Sequence, residues 1–246
     1  MDAIGVIPAR FGSTRFEGKV LADIRGKPMI QWVYEAAKKT KMLDDVIVAC
    51  DDKRIKDTVE AFGGKAVLTS KDHISGTDRI CEAVSFIDTK IVVNIQADEP
   101  LIDPVMIASV VRPFAGAPSL SMATLKKKIE DYHEITDPNV VKVVTDKQDF
   151  ALYFSRSIIP YQRDKSIGIN YYKHIGLYAY TKDFLFVFKN LPESHLEKLE
   201  KLEQLRVLEA GFKIKVLETN VSTIGVDTYE DLEKARKAIA QKQHSG

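Results

Sequence analysis

Short runs of uniformly apolar residues alternate along the chain with longer segments whose apolar positions recur every three or four residues. The first run, AIGVI (3–7), reads as a strand buried on both faces, and KPMIQWVYEAAKKT (27–40) reads as an amphipathic helix with Pro28 at its first position. VIVAC (46–50) predicts a second strand, and DKRIKDTVEAF (52–62) a helix stopped by Gly63-Gly64. KAVLT (65–69) is a short strand, and a helix over 75–87 starts from a cap at Ser75 or Thr77. IVVNIQADEP (91–100) is a strand that turns polar at its C-terminal end, followed by a helix from about Asp103 and a strand at 120–125. Strand and helix patterns in alternation predict an α/β fold around a mainly parallel sheet.

The second half has a different texture. NVVKVVTDKQDFALYFSR (139–156) predicts a hairpin around its polar DKQD turn, and YKHIGLYAY (172–180) a further strand, with a polar, glycine-containing loop at 160–171 between them. A leucine-rich helix (194–210), a strand (213–219) and a charged helix (228–241) end the chain. With no internal repeat and no long linker, the 246 residues form a single domain carrying an inserted lobe at about 139–190.

Composition removes several classes of function. The net charge is +1, so no global field draws nucleic acid or an anionic membrane. Cys50 and Cys81 are too few for a disulfide framework, and no Cys/His spacing suggests zinc. No stretch has transmembrane length and the first residues lack a secretion-signal pattern, so a reducing cytoplasm is the expected location.

Chemistry is expected at the C-terminal strand ends. The first strand delivers IPARFGSTRFEGKVL (7–21), with Arg10, Arg15 and Lys19 among small residues, a composition suited to phosphate. The loop misses the P-loop pattern: five residues, not four, precede Gly18-Lys19, and Val20 stands where a Mg²⁺-binding hydroxyl belongs. In NIQADEP, alternation puts Asn94, Gln96 and Asp98 on one face, and Asp98 suits a hard cation. Asp227, just before the last helix, is a second acidic candidate with a helix cap as its structural alternative. Asp51-Asp52 is a third, more suited to starting a helix. His174 and Tyr178 share a strand face, and Glu203 falls within the leucine stripe, where a carboxylate needs a partner such as Arg206.

Taken together, IPARFGSTRFEGKVL, GKPMIQWV, SGTDRI, NIQADEPLI, NVVKVV, FALYFSRSIIP, KHIGLYAY, LEKLEQLRVLEAGFKIKV and GVDTYEDLEKA resemble the 3-deoxy-manno-octulosonate cytidylyltransferases, in matching order from Ile4 to about Ala238. The resemblance implies a Rossmann-like nucleotidyltransferase fold of the nucleotide-diphospho-sugar transferase type, with a β-rich dimerisation lobe. It implies the reaction of CTP with Kdo to give CMP-Kdo and pyrophosphate for lipopolysaccharide synthesis, with Mg²⁺ as cofactor, in a cytoplasmic homodimer. Carried over, Arg10, Ser13, Arg15 and Lys19 hold the triphosphate. Pro8, Ala9, Arg10, Ser75 and Gly76 surround the nucleotide with Arg79 nearby, and Asp98 and Asp227 bind the metal. Gln96, Arg156, His174, Tyr178, Glu203 and Gln204 hold the sugar, Arg156 facing its carboxylate. Two departures from the family pattern stand out: STRFEGKVL replaces two prolines by Glu17 and Val20, and QADEP puts Ala97 in place of glycine. The alternatives are a cytidylyltransferase for 8-amino-Kdo or N-acetylneuraminate, a glycosyltransferase using Asp51-Asp52 for its metal, and a catalytically silent nucleotide-binding regulator.

Overall fold

The first apolar run extends into strand β1 (Ala3–Ala9), buried almost throughout because sheet neighbours flank it and helices cover both its faces. The structure is a computed structural model that describes residues 2–12 and 16–244, so the expectations for Ser13 and Arg15 lie outside the described residues. The first half continues with β2 (Asp23–Ile24), β3 (Lys27–Pro28), α1 (Met29–Lys38), β4 (Asp45–Cys50), α2 (Lys53–Ala61), β5 (Ala66–Leu68), α3 (Gly76–Val84), β6 (Ile91–Asn94) and α4 (Pro104–Val111). The second half comprises β7 (Met122–Lys128), α5 (Tyr132–Thr136), β8 (Lys142–Thr145), β9 (Ala151–Ser155), β10 (Tyr172–Thr181), α6 (Lys182–Asn190), α7 (His195–Glu200), α8 (Gln204–Glu209), β11 (Lys215–Glu218) and α9 (Tyr229–His244).

The sheet runs β11-β7-β10-β6-β1-β4-β5. β6, β1, β4 and β5 are mutually parallel and β11 is parallel to β7, whereas β10 runs antiparallel between β6 and β7. This is the mixed, mainly parallel α/β architecture expected. The strand expected at 172–180 is therefore an interior strand of the main sheet rather than part of a separate lobe. Its residues Leu177, Ala179 and Tyr180 are buried from both sides. The β8–β9 hairpin branches from this strand order, joined to the start of β10 where Lys142 pairs with Lys173, and β2 and β3 form a separate two-strand ribbon.

Three further differences have local causes. Pro28 adopts an extended conformation one position before α1, because it also pairs with Asp23 in a two-strand ribbon. The expected helix 194–210 is two helices, broken at Lys201, whose φ of 54° is left-handed. The break turns Glu203 out of the leucine stripe toward Thr77, which donates to it at 2.8 Å, while Arg206 pairs instead with Glu197. Helix α6 answers to no expected element, although its buried Phe184, Leu185 and Phe188 have helical spacing.

One apolar core fills the side of the sheet covered by α1, α2 and α4, and a second fills the side of α3, α6 and α8. A small third cluster packs Leu232, Ala235 and Ile239 of α9 against Phe16, Ile24, Met29 and Leu101. That cluster carries the chain's end back across the C-terminal strand ends, and so brings Asp227 to them.

Candidate active site

The loop after β1 is anchored at Phe11. The Phe11 amide donates to Asp51 at 2.9 Å, and the Arg54 guanidinium lies 3.4 Å over the centre of its ring. The Gly18 amide closes the loop on the Phe11 carbonyl at 2.9 Å. Gly18 has φ of 64°, and a Cβ there would meet the Phe11 ring at 3.1 Å, so both backbone and space call for glycine. Asp51 also accepts from Arg79, whose guanidinium donates to Thr69 at 2.6 Å; Asp52 caps α2 and pairs with Arg54. The acidic pair at 51–52 thus builds the loop's foundation and does not present a metal site. Arg79 lines the cavity wall with its guanidinium engaged in this scaffold. Glu17 is exposed, and Val20 is buried in the core beneath the loop.

A cavity of about 300 Å³ opens over the strand ends and is lined by Pro8, Ala9, Arg10, Lys19, Ser75, Gly76, Arg79, Gln96, Ala97, Asp98 and Asp227. Ser75 caps α3 through a reciprocal box with Asp78, which fixes the helix start at the cavity wall. At one side Lys19 Nζ donates to Asp98 Oδ2 at 2.6 Å, Asp227 Oδ1 at 2.9 Å and the Val226 carbonyl at 3.2 Å. Burial opposes its charge, but Asp98 and then Asp227 outweigh burial and hold its pKa above the ordinary lysine value. The Val226 amide donates to the Asp98 carbonyl at 2.9 Å, locking the approach to α9 against the turn that follows β6. Two carboxylates and a carbonyl oxygen therefore surround one cation, an all-oxygen set of the kind a hard divalent ion takes. Among the described residues, no group of three or more His, Cys, Asp or Glu side chains is placed to hold a metal.

A second cavity, of about 240 Å³, adjoins the first across Pro8, Gly76 and Gln96. Tyr178, Glu203 and Gln204 line it, together with Thr77, Asn94, Met122, Tyr180 and Phe188. A bulge in β10 between Ile175 and Tyr178 shapes this wall. Thr124 Oγ1 holds the Ile175 and Leu177 carbonyls at 3.1 and 2.9 Å, and Gln96 Nε2 holds the Gly176 carbonyl at 3.1 Å. In a regular strand His174 and Tyr178 would stand about 13 Å apart. The bulge compresses the strand and brings their rings to 5.3 Å. Burial raises the Glu203 carboxyl pKa, and burial and then Glu203 push the Tyr178 hydroxyl well above its usual range.

Two expected sugar contacts do not line either cavity. Arg156 donates to the carbonyls of Glu200 at 2.7 Å and Pro138 at 2.9 Å. His174 stands behind Tyr178, against Phe154 and Thr124, and its burial lowers its pKa to about 3. Conversely, Thr77, Asn94, Tyr180, His73 and Ile74 line the cavities without having been singled out as ligand contacts. For Asn94 the signal was the polar alternation with Gln96 and Asp98, although β6 ends at Asn94 and Asp98 lies in the turn that follows. No helix of the described residues is long and apolar enough to cross a membrane.

The family model described as Cytidylyltransferase matches residues 4–215. The chain is 54% identical over 244 residues to a protein of Fusobacterium nucleatum named 3-deoxy-manno-octulosonate cytidylyltransferase, covering 98% of both chains. A protein of the same name from Geobacter sulfurreducens is 51% identical, over 97% of this chain and all of that one. A solved structure described as CMP:2-keto-3-deoxy-manno-octonic acid synthetase complexed with CTP superposes with a TM-score of 0.94 at 46% identity, over 98% of this chain and all of the other. A putative glucose-1-phosphate thymidylyltransferase from Bacillus anthracis, at 16% identity and a TM-score of 0.68, shares the fold.

Proposed function

The chain belongs to the 3-deoxy-manno-octulosonate cytidylyltransferase family, and from that premise we propose that it joins CTP and Kdo into CMP-Kdo and pyrophosphate, activating the sugar acid for lipopolysaccharide synthesis. The observation that carries the reading is the meeting of Lys19, Asp98 and Asp227 beside a cavity that Arg10, Ser75 and Gly76 also line. The cavity with these residues takes the nucleotide, and the adjoining one takes the sugar acid.

The oxygen set that now surrounds the Lys19 ammonium fits Mg²⁺, which Asp98 and Asp227 would hold. When bound, the ion supplies charge neutralisation on phosphate and acidifies the attacking hydroxyl. The protein's own part is positioning and electrostatics. Lys19 and Arg10, with Arg15 and Ser13 of the same loop, offset charge on the triphosphate as the anomeric hydroxyl attacks the α-phosphorus and pyrophosphate leaves in line. The start of α3 at Ser75 and Gly76 orients the nucleoside. Gln96, Tyr178, Glu203 and Gln204 hold the sugar, while His174 and Arg156 position that wall through Tyr178 and Glu200.

The proposed homodimer forms in the cytoplasm through the segment 139–190, where Leu152, Tyr161 and Ile167 are exposed. Sedimentation of the wild type and of Leu152→Glu/Tyr161→Glu tests it: a monomer in the wild type refutes the dimer.

The activity is tested by pyrophosphate release from CTP and Mg²⁺ with Kdo, 8-amino-Kdo or N-acetylneuraminate. Release with Kdo that falls at least about 100-fold in Asp98→Asn and Asp227→Asn is expected. No release with any of the three acids, while CTP still binds, rejects the reading.

A further inference from the structure

Phe16, in the loop after β1, stacks on Tyr229, the first residue of α9, with ring centroids 4.1 Å apart and planes inclined by 29°. Phe16 is 7% exposed and belongs to the third apolar cluster with Val226, Leu232, Ala235 and Ile239. Tyr229 is 67% exposed and covers that ring from the solvent side. The reaction as read above uses neither ring, but their places in the chain are telling. The Phe16 carbonyl accepts from the Lys19 amide at 3.3 Å, and Tyr229 follows Asp227 by two residues. The stack therefore joins the loop that carries Lys19 to the segment that carries Asp227.

Both sides of this joint are braced. Asp231 Oδ2 accepts from the Asp227 amide at 3.3 Å, the Thr228 amide at 3.1 Å and the Thr228 hydroxyl at 2.8 Å, so Asp227 and Tyr229 project from one tied turn. On the loop side, Gly18 closes on Phe11 and Lys19 on Phe16. The contacts of Lys19 Nζ with Asp98 and Asp227 also tie loop to segment, but these must change on binding, when the carboxylates turn to the divalent ion and the ammonium to the triphosphate. The aromatic contact uses no group that either ligand needs, so it persists. Resting on the reading above, we propose that Phe16 and Tyr229 are positioning residues whose stack holds the phosphate loop in register with Asp227, so that CTP and the divalent ion strengthen each other's binding.

The geometry fixes where the effect falls. CTP alone needs the loop and the start of α3. The ion alone needs Asp98 and Asp227, which the bond from the Val226 amide to the Asp98 carbonyl already aligns. Neither requires loop and segment to keep a set separation. With both bound, phosphate oxygens held by the loop must meet an ion held by the segment, and the separation then matters. Loss of the stack leaves each ligand's own affinity in place and removes part of the coupling between them. A stacked aromatic pair shifts an equilibrium by a factor of about 2 to 13 beyond its buried area, which bounds the loss.

Calorimetry of CTP binding in chelator and in saturating Mg²⁺, without sugar acid, gives the coupling as the ratio of two dissociation constants; association of the ion with CTP in solution is common to every variant. Electron paramagnetic resonance of Mn²⁺ without nucleotide gives the ion alone. Tyr229→Ala should lower the coupling about 3- to 10-fold, with CTP in chelator and Mn²⁺ alone each within about twofold of wild type. Phe16→Leu, which keeps apolar bulk in the cluster, should do the same, and the double variant should lose no more than either single one. Tyr229→Phe keeps the stack and should match the wild type. A merely structural pair would lower the variants' melting temperatures and leave the coupling unchanged, which overturns the proposal, as does a loss that falls equally on either ligand alone. Tyr229→Ala decides alone if Phe16→Leu fails to fold, since Tyr229 lies at the surface. A wild type that does not bind CTP would instead reject the reading of the reaction itself.

Discussion

Replacing Lys19 by Met removes a positive charge that the structure places between Asp98 and Asp227. The ammonium contacts the two carboxylates at 2.6 and 2.9 Å, with side-chain exposures of 15% for Lys19, 30% for Asp98 and 53% for Asp227. Fully exposed ion pairs contribute about 0.2–1 kcal/mol, whereas breaking a buried pair costs about 3–5 kcal/mol. The half-open site lies between these limits, so Lys19→Met should cost about 1–3 kcal/mol in the absence of divalent ions. The two carboxylates left facing each other then become a better site for a competing cation. Added Mg²⁺ should therefore recover stability in the variant and change the wild type much less, since in the wild type the ion must first displace Lys19. Urea unfolding in chelator and at increasing Mg²⁺, without nucleotide, reads both effects, and Mn²⁺ binding followed by electron paramagnetic resonance reads the second directly. Turnover of the variant should still fall, because Lys19 is also proposed to serve the triphosphate. A variant as stable as wild type in chelator, or one that binds Mn²⁺ no more tightly without nucleotide, would refute the argument.

Other expectations follow from burial. His174 is held near pKa 3 against about 6.5 in the unfolded chain, and its ring faces Phe154, Tyr178 and Thr124, none of them charged. The unfolded state thus binds more protons: stability is complete above about pH 6.5 and declines as pH falls toward 3, by at most about 1.4 kcal/mol per unit. His174→Gln should flatten that decline in unfolding measured from pH 7 to 4, and an unchanged slope contradicts it. Lys142 is fully buried and donates to the carbonyls of Asp137, Val140 and Arg156 at 2.9, 2.6 and 2.7 Å. Lys142→Met leaves all three unmatched and should lower the urea midpoint by the equivalent of about 2–4 kcal/mol. Cys50 and Cys81 are buried, with burial pushing their thiols up to about 11 and about 12. Neither should take up iodoacetamide at pH 8 until the protein unfolds, as mass spectrometry would show.

What the sequence made readable was local. A buried strand ending in a basic, glycine-containing loop, a Ser75 cap and acidic residues at strand ends announce themselves within a few positions, and each occurs where its pattern placed it. What stayed hidden depends on partners distant in sequence. In the sequence Asp51 and Asp98 have similar settings, an acid shortly after an apolar run, and nothing nearby tells which of them faces a ligand. They separate only because Asp51 meets the Phe11 amide and Arg79, whereas Asp98 meets Lys19, 79 positions away. Lys19 in turn reaches Asp227, 208 positions away. The bulge in β10 and the break at Lys201 are hidden for the same reason. Tyr178 meets His174 only because Thr124 and Gln96 hold the bulge, and Glu203 leaves its helix stripe to accept from Thr77, 126 positions back. Asn94 and Gln204 carry this furthest. A sequence pattern can say that such residues are buried, but only the assembled cavity shows that burial leaves each with an unmet hydrogen bond.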